Sequence, residues 1–295
     1  MRVIQTHRVA KNIEPIRIYD YCNGLFKEIP SRKGVKKAIE RGEIRLNNNA
    51  TETGFWLKGG ELIELVDLEN KIPKTYHLKL DVKFEDDQIA VIVKPAGLVT
   101  SGNQFKTVTN AIQGNLTKSD AIDALKWPVP VHRLDKQTSG LMIIAKTKTA
   151  QIELGKQFEN GEIQKVYHAV VMGKVKDQGI IDIPIEGKPA FTSYESIKTV
   201  KSLRSEHLSL LKLKPKTGRT HQLRIHLSEM GNAILGDPIY SPKNLYLKHK
   251  GLFLSATQLS FKHPSKEDII SVEIPLPQKF NKRLESEDKR WLSKN

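Results

Sequence analysis

A single carboxylate, Asp135, stands two residues after Arg133 in the run Val131-His132-Arg133-Leu134-Asp135-Lys136-Gln137-Thr138-Ser139-Gly140. The segment leading in, Trp127 to Val131, is apolar and bracketed by prolines. The one leading out, Leu141 to Ala145, is apolar throughout and predicts a buried strand. Asp135 is therefore expected on a loop between two rigid elements. Binding and catalytic groups concentrate on such loops because the flanking scaffold fixes their geometry. Taken alone, the same residues also spell an ordinary turn. A carboxylate held ionised there has two uses, as a nucleophile or in abstracting a proton.

Two later blocks carry further reactive types. One runs Lys165-Val166-Tyr167 to Gly173. The other runs Lys216-Thr217-Gly218-Arg219-Thr220-His221-Gln222-Leu223-Arg224-Ile225-His226-Leu227 and is followed by Gly236-Asp237-Pro238. Thr220 is a candidate N-cap for a helix whose apolar positions are Leu223, Leu227 and Met230, with Gly231 as its stop and Arg224 projecting from its first turns. His132, His221 and His226 contain no His-x-x-x-His pair and have no cysteine nearby, so no metal site is expected and structural hydrogen bonding is the simpler role for all three. Arg219, Lys216 and Lys214 are expected to meet phosphates, with a plain solvated face as the alternative.

In this order the blocks resemble the RluA-type family of pseudouridine synthases. The resemblance covers roughly residues 80 to 280 through His-Arg-Leu-Asp-x-x-Thr-Ser-Gly, Lys-x-Tyr and Gly-Arg-Thr-His-Gln-Leu-Arg-x-His. Lys94-Pro95-Ala96-Gly97 is similar to the family's opening Lys-Pro-x-Gly, whereas Val99-Thr100-Ser101-Gly102 departs from the histidine-proline pair that usually follows. The resemblance implies an enzyme that isomerises uridine in RNA, without a cofactor because no redox step or phosphoryl transfer occurs. It makes Asp135 the catalytic carboxylate, Arg224 the cation that keeps it charged against burial, and Tyr167 the flat face for the uracil. Arg133 is then the side chain that fills the space left by a flipped base. Two rival readings stand beside this one. A non-catalytic RNA-binding or ribosome-assembly factor would be free to lose Asp135, Tyr167 or Arg224. A hydrolase acting on a glycosidic bond would need a second carboxylate, and none stands in the same block.

These residues need elements to hold them. The 295-residue chain is long enough for about two domains, and its 48 basic against 33 acidic residues give a net charge of +15 that points to a polyanionic partner. Ser31 is expected to cap a helix with Val35, Ala38 and Ile39 on one face and Arg32, Lys33, Lys36 and Lys37 on the other, stopped at Gly42. Alternation at Glu43 to Leu46, a turn at Asn47-Asn48-Asn49 and a strand at Leu62 to Val66 complete a module over residues 16–66. This pattern resembles the small RNA-binding module first known from the fourth protein of the small ribosomal subunit. Residues 67–77 read as a linker. Residues 78–290 read as an α+β catalytic domain with a central mixed, largely antiparallel sheet and helices flanking a cleft. Strands are expected at 84–93, 165–175 and 209–213, with a helix at 149–159.

Cys22 is the only cysteine, and neither a signal peptide nor an 18-residue apolar span is evident, so a cytoplasmic protein without membrane attachment is expected. Nothing requires more than a monomer. Because family members with the extra N-terminal module tend to modify large-subunit ribosomal RNA, ribosomal RNA is favoured over transfer RNA.

Overall fold

The computed structural model describes residues 2–67, 75–245, 247 and 249–294. The chain divides into two compact units, Met1–Ile72 and Pro73–Asn295. Most of the expected linker, residues 68–74, lies outside the described residues.

The first unit contains β1 (Arg2–Arg8), β2 (Ile16–Arg17), α1 (Ile18–Tyr21), α2 (Arg32–Glu40), β3 (Ile44–Leu46), β4 (Asn49–Ala50), β5 (Trp56–Leu57) and β6 (Leu62–Asp67). Its main sheet has the order β1-β6-β3-β4. Helix α2 begins where Ser31 accepts a hydrogen bond from the Gly34 amide at 3.1 Å, and it buries Val35, Ala38 and Ile39. It ends with Gly42 at φ 74°, its amide bonded to the Ile39 carbonyl and that of Glu43 to Ala38, the paired bonds of a glycine-terminated helix. Asn47 and Asn48, at φ 48° and 65°, form the two-residue turn between β3 and β4. The 16–66 boundary misses β1, which pairs along β6 from Arg2↔Asp67 to Arg8↔Leu62. Almost every residue of β1 is exposed, so the strand shows no alternation between a core face and a solvent face.

The second unit contains β7 (Asp81–Glu85), β8 (Ile89–Lys94), α3 (Val108–Ala111), β9 (Ala124–Pro130), β10 (Ser139–Thr147), α4 (Lys148–Glu159), β11 (Gln164–Met172), β12 (Gln178–Ile181), β13 (Thr192–Ser202), β14 (Glu206–Pro215), α5 (Gln222–Glu229), β15 (Leu254–Lys262), β16 (Ile269–Glu273) and α6 (Gln278–Leu292). The sheet runs β12-β13-β14-β11-β15-β10-β8-β7, with β16 on β15 and β9 on β10. Its pairs are antiparallel except for β10 with β15, so the mixed, largely antiparallel sheet agrees with expectation. The strand expected at 84–93 is a hairpin of β7 and β8.

The apolar run of β10 is explained by burial on both faces. Met142 and Ile144 join a core with Val108 and Ala111 of α3, while Leu141, Ile143 and Ala145 join another with Ala150 and Leu154 of α4. A third core packs β11 and β14 against Leu223 and Leu227 of α5 and Phe280 and Leu284 of α6. The parallel pairing is short, Ser139↔Ser255 and Gly140↔Ala256, and it joins two half-sheets. Gly140 sits at φ 119°, and a Cβ built there would lie 2.1 Å from the Ala256 carbonyl oxygen, so only glycine lets the halves meet this closely.

Candidate active site

The loop that ends β9 and opens β10 places Asp135 beside that junction. Its support is built from the chain's own departures and matches. Thr100, in the segment that departs from the family pattern, braces the loop through its hydroxyl, which donates to the Leu134 carbonyl at 3.0 Å and accepts from the Leu134 amide at 3.2 Å. Lys94 is fully buried, and its ammonium donates to the carbonyls of Leu98 at 2.7 Å, Pro95 at 3.0 Å and Lys136 at 3.3 Å. Burial lowers its pKa to about 8 against the pull of the Asp135 charge. Its bonds tie the Pro95 turn to the Asp135 loop, a role that the Lys-Pro-x-Gly motif signalled without specifying.

Asp135 is one-fifth exposed, and its Oδ2 lies 3.4 Å from the Arg224 Nη1 cation and 3.6 Å from His221 Nε2. Arg224 is nearly buried on α5. Asp237 grips its other edge, Oδ2 accepting from Nε at 2.6 Å and Oδ1 from Nη2 at 2.8 Å. Asp237 also accepts from the amides of Ile239 and Tyr240. Burial opposes its charge, yet the bonds from Arg224 and these amides prevail and hold its carboxyl below the ordinary range. Arg224, raised in turn by Asp237 and Asp135 despite burial, is a fixed cation oriented by one carboxylate and offered to another. The Tyr240 ring lies under it at 5.1 Å.

Tyr167 reaches the same cavity from β11, opposite Leu213 and Ala256, where the register with β15 slips by one residue between Val166 and Tyr167. Such a bulge re-aims side chains beside a site. Burial and the neighbouring Asp135 charge raise the phenol's pKa, so it stays protonated at neutral pH. Arg133 is exposed at the cavity, and its guanidinium has no hydrogen-bond or ion-pair partner among the described residues. Arg219 lines the same cavity, its Nε donating to the Pro189 carbonyl at 3.1 Å. The cavity is an open cleft with a volume of about 130 Å³.

One expectation needs correction. Thr220 does not cap α5. His221 occupies the N-cap in a left-handed conformation, φ 56°, and makes no capping bond. The Gln222 side chain organises the turn instead. Its Oε1 accepts from Thr217 Oγ1 at 2.7 Å and the Arg219 amide at 3.0 Å, and its Nε2 donates to the Phe191 carbonyl and Thr192. His221 makes the expected structural hydrogen bond, Nδ1 to the Tyr240 hydroxyl at 3.0 Å, and its Nε2 lies 3.6 Å from Asp135. The other two histidines also serve the fold. His132 Nε2 accepts from the Ile143 amide, burial lowering its pKa to about 3, and buried His226 lies between Thr192 and the Ile183 carbonyl.

In the first unit Arg32, Lys33, Lys36 and Lys37 all stand exposed on α2. Arg32 pairs with Asp20 and lies 5.5 Å over the Tyr19 ring, and Lys36 lies 4.0 Å from Glu40.

A family model described as RNA pseudouridylate synthase matches residues 88–229, the stretch holding Asp135, Tyr167 and Arg224. An uncharacterized RNA pseudouridine synthase of Aquifex aeolicus (strain VF5) is 34% identical over 278 residues, 85% of this chain and 87% of the relative. The ribosomal large subunit pseudouridine synthase D of Nitrosomonas europaea is 32% identical over 274 residues, 84% of this chain and 77% of the relative. Among solved structures, human RNA pseudouridylate synthase domain containing 4 superposes with a TM-score of 0.56 at 26% identity, over 68% of this chain and 90% of that one. With a third of its residues identical to such a synthase over most of both chains, this chain belongs to the RluA-type family of RNA pseudouridine synthases and is an isomerase acting on RNA.

Proposed function

We propose that this isomerase uses Asp135 as its catalytic carboxylate on a uridine flipped from folded ribosomal RNA. The observation that carries the reading is the Asp237–Arg224–Asp135 arrangement. A permanent cation, immobilised on one edge, holds Asp135 by Oδ2, while Oδ1 keeps no hydrogen bond among the described residues. An ionised carboxylate with one free oxygen suits attack on carbon 6 of the base or on the anomeric carbon of the sugar. The bond from N1 to the sugar breaks, the base turns, and carbon 5 takes its place. Carbon 5 loses a proton and N1 gains one, so the isomerisation balances without a co-reactant.

Tyr167 supplies the face on which the uracil lies and, as a neutral phenol, a proton donor. Unpartnered Arg133 fills the gap in the stack, offsetting part of the few kcal/mol that unstacking costs. The basic face of α2 and Arg219 add contacts to RNA phosphates. The preference for ribosomal over transfer RNA draws support from relatives named as ribosomal large subunit synthases.

Asp135→Asn is expected to abolish pseudouridine formation, read by nucleoside digestion, while RNA affinity stays within about twofold because phosphate contacts dominate binding. Retained activity in that variant overturns the assignment. Digests of ribosomal and transfer RNA from cells with and without the gene decide the RNA class.

A further inference from the structure

Next to the Asp135 cavity, and sharing Arg133, Tyr167 and Arg219 with it, lies a second depression lined by Lys165, Lys216 and Glu159. Lys165 is unusual among the chain's sequestered lysines. Lys94 satisfies its ammonium with three carbonyls, Lys146 with Glu85 and the Asp86 carbonyl, and Lys279 with the Leu252 carbonyl. Half-buried Lys165 has no such partner among the described residues, and burial alone lowers its pKa. Four cationic side chains thus face one carboxylate in a partly dehydrated hollow. A cation stripped of water without an anion is a cost unless a ligand removes it. Past Lys165 and Lys216 the surface continues into a groove lined by Lys212 and Lys214, which share the outward face of β14 while Leu211 and Leu213 point to the core.

Resting on the reading that Asp135 acts on an RNA uridine, we propose that the Lys165 hollow receives the phosphodiester adjoining that uridine. The strand then leaves over Lys214 and Lys212. The hollow abuts the face of Tyr167's cavity, so an anion held there is one covalently next to the base. Lys165 is in this account a positioning residue. It fixes the sugar by its phosphate and leaves the reacting atoms to Asp135.

The probe is uridine 3′,5′-bisphosphate against uridine, titrated at low salt into the full chain and into Lys165→Met and Lys165→Arg. The wild type is expected to bind the bisphosphate about tenfold or more tightly than uridine, the scale of a charge-assisted hydrogen bond. Lys165→Met, which keeps the aliphatic stem, should erase that preference, and Lys165→Arg should keep most of it. With RNA as substrate, Lys165→Met should raise KM about tenfold with kcat changed less than threefold. No preference for the bisphosphate in the wild type, or an unchanged preference in Lys165→Met, overturns the inference. Neither result bears on Asp135, whose test is pseudouridine formation itself.

Discussion

Arg224 spends two of its three nitrogens on Asp237 and offers the third to Asp135, so the carboxylate farther from the chemistry decides how well the nearer one is held. Asp237→Asn would leave Arg224 buried with only Asp135 to compensate it. It is expected to destabilise the chain by about 3 kcal/mol or more, seen as a lower Tm, and to cut kcat more than RNA affinity. The sign of its pH dependence follows from the lowered pKa. Asp237 contributes stability that is present above the ordinary aspartate value of about 3.9 and is lost as pH falls through its lower folded value. Thermal melts in acid should therefore fall more steeply for the wild type than for Asp237→Asn. Asp135, Tyr167 and Arg224 were legible as types at recognisable spacing. The part played by Asp237 was not, because a salt bridge across 13 positions that bends back from a helix leaves no periodic trace. The N-cap of α5 escaped for a related reason. Thr220 is the better cap by residue type, whereas the left-handed turn at His221 is imposed by the buried Gln222 amide.

The elements that carried alternating or helical apolar patterns were readable, α4 and α2 with its cap at Ser31 among them. Strands β1, β12, β13 and β16 were not, since exposed or half-exposed faces mute the contrast on which such reading depends. Helix α6 escaped because a charged sequence hides the few positions, Phe280 and Leu284, that bury it. Two outcomes belong at this scale. Neutralising Arg32, Lys33, Lys36 and Lys37 together should weaken RNA binding and flatten its salt dependence, each lost phosphate contact lowering the slope by about 0.7 to 0.9. An unchanged slope would mean a merely solvated helix face. Gly140→Ala drives a methyl group into the backbone of β15 at a φ that L-residues avoid, for a loss of about 2 kcal/mol or more, measured by denaturant midpoint.

For the whole molecule, composition already indicated two units and a polyanionic partner, and the division at Ile72 falls within the expected linker. The way the catalytic unit is stitched together was beyond sequence reading, because it includes a brief parallel contact between residues 116 positions apart, with Ser139 Oγ and Ser255 Oγ 3.2 Å from each other. Asp135 enters from the half-sheet on one side of that contact, and Tyr167 and Arg224 from the other. The pairing of β11 with β15, Tyr167↔Ala256, spans 89 positions and this closure 116, so both must wait for long loops to be spanned. During refolding, circular dichroism should thus recover before pseudouridine formation does, and simultaneous recovery would contradict this order. The narrow junction at Gly140 then acts as an assembly check. A chain that has built every strand remains inert until its two halves have met, so no half-made enzyme can modify RNA.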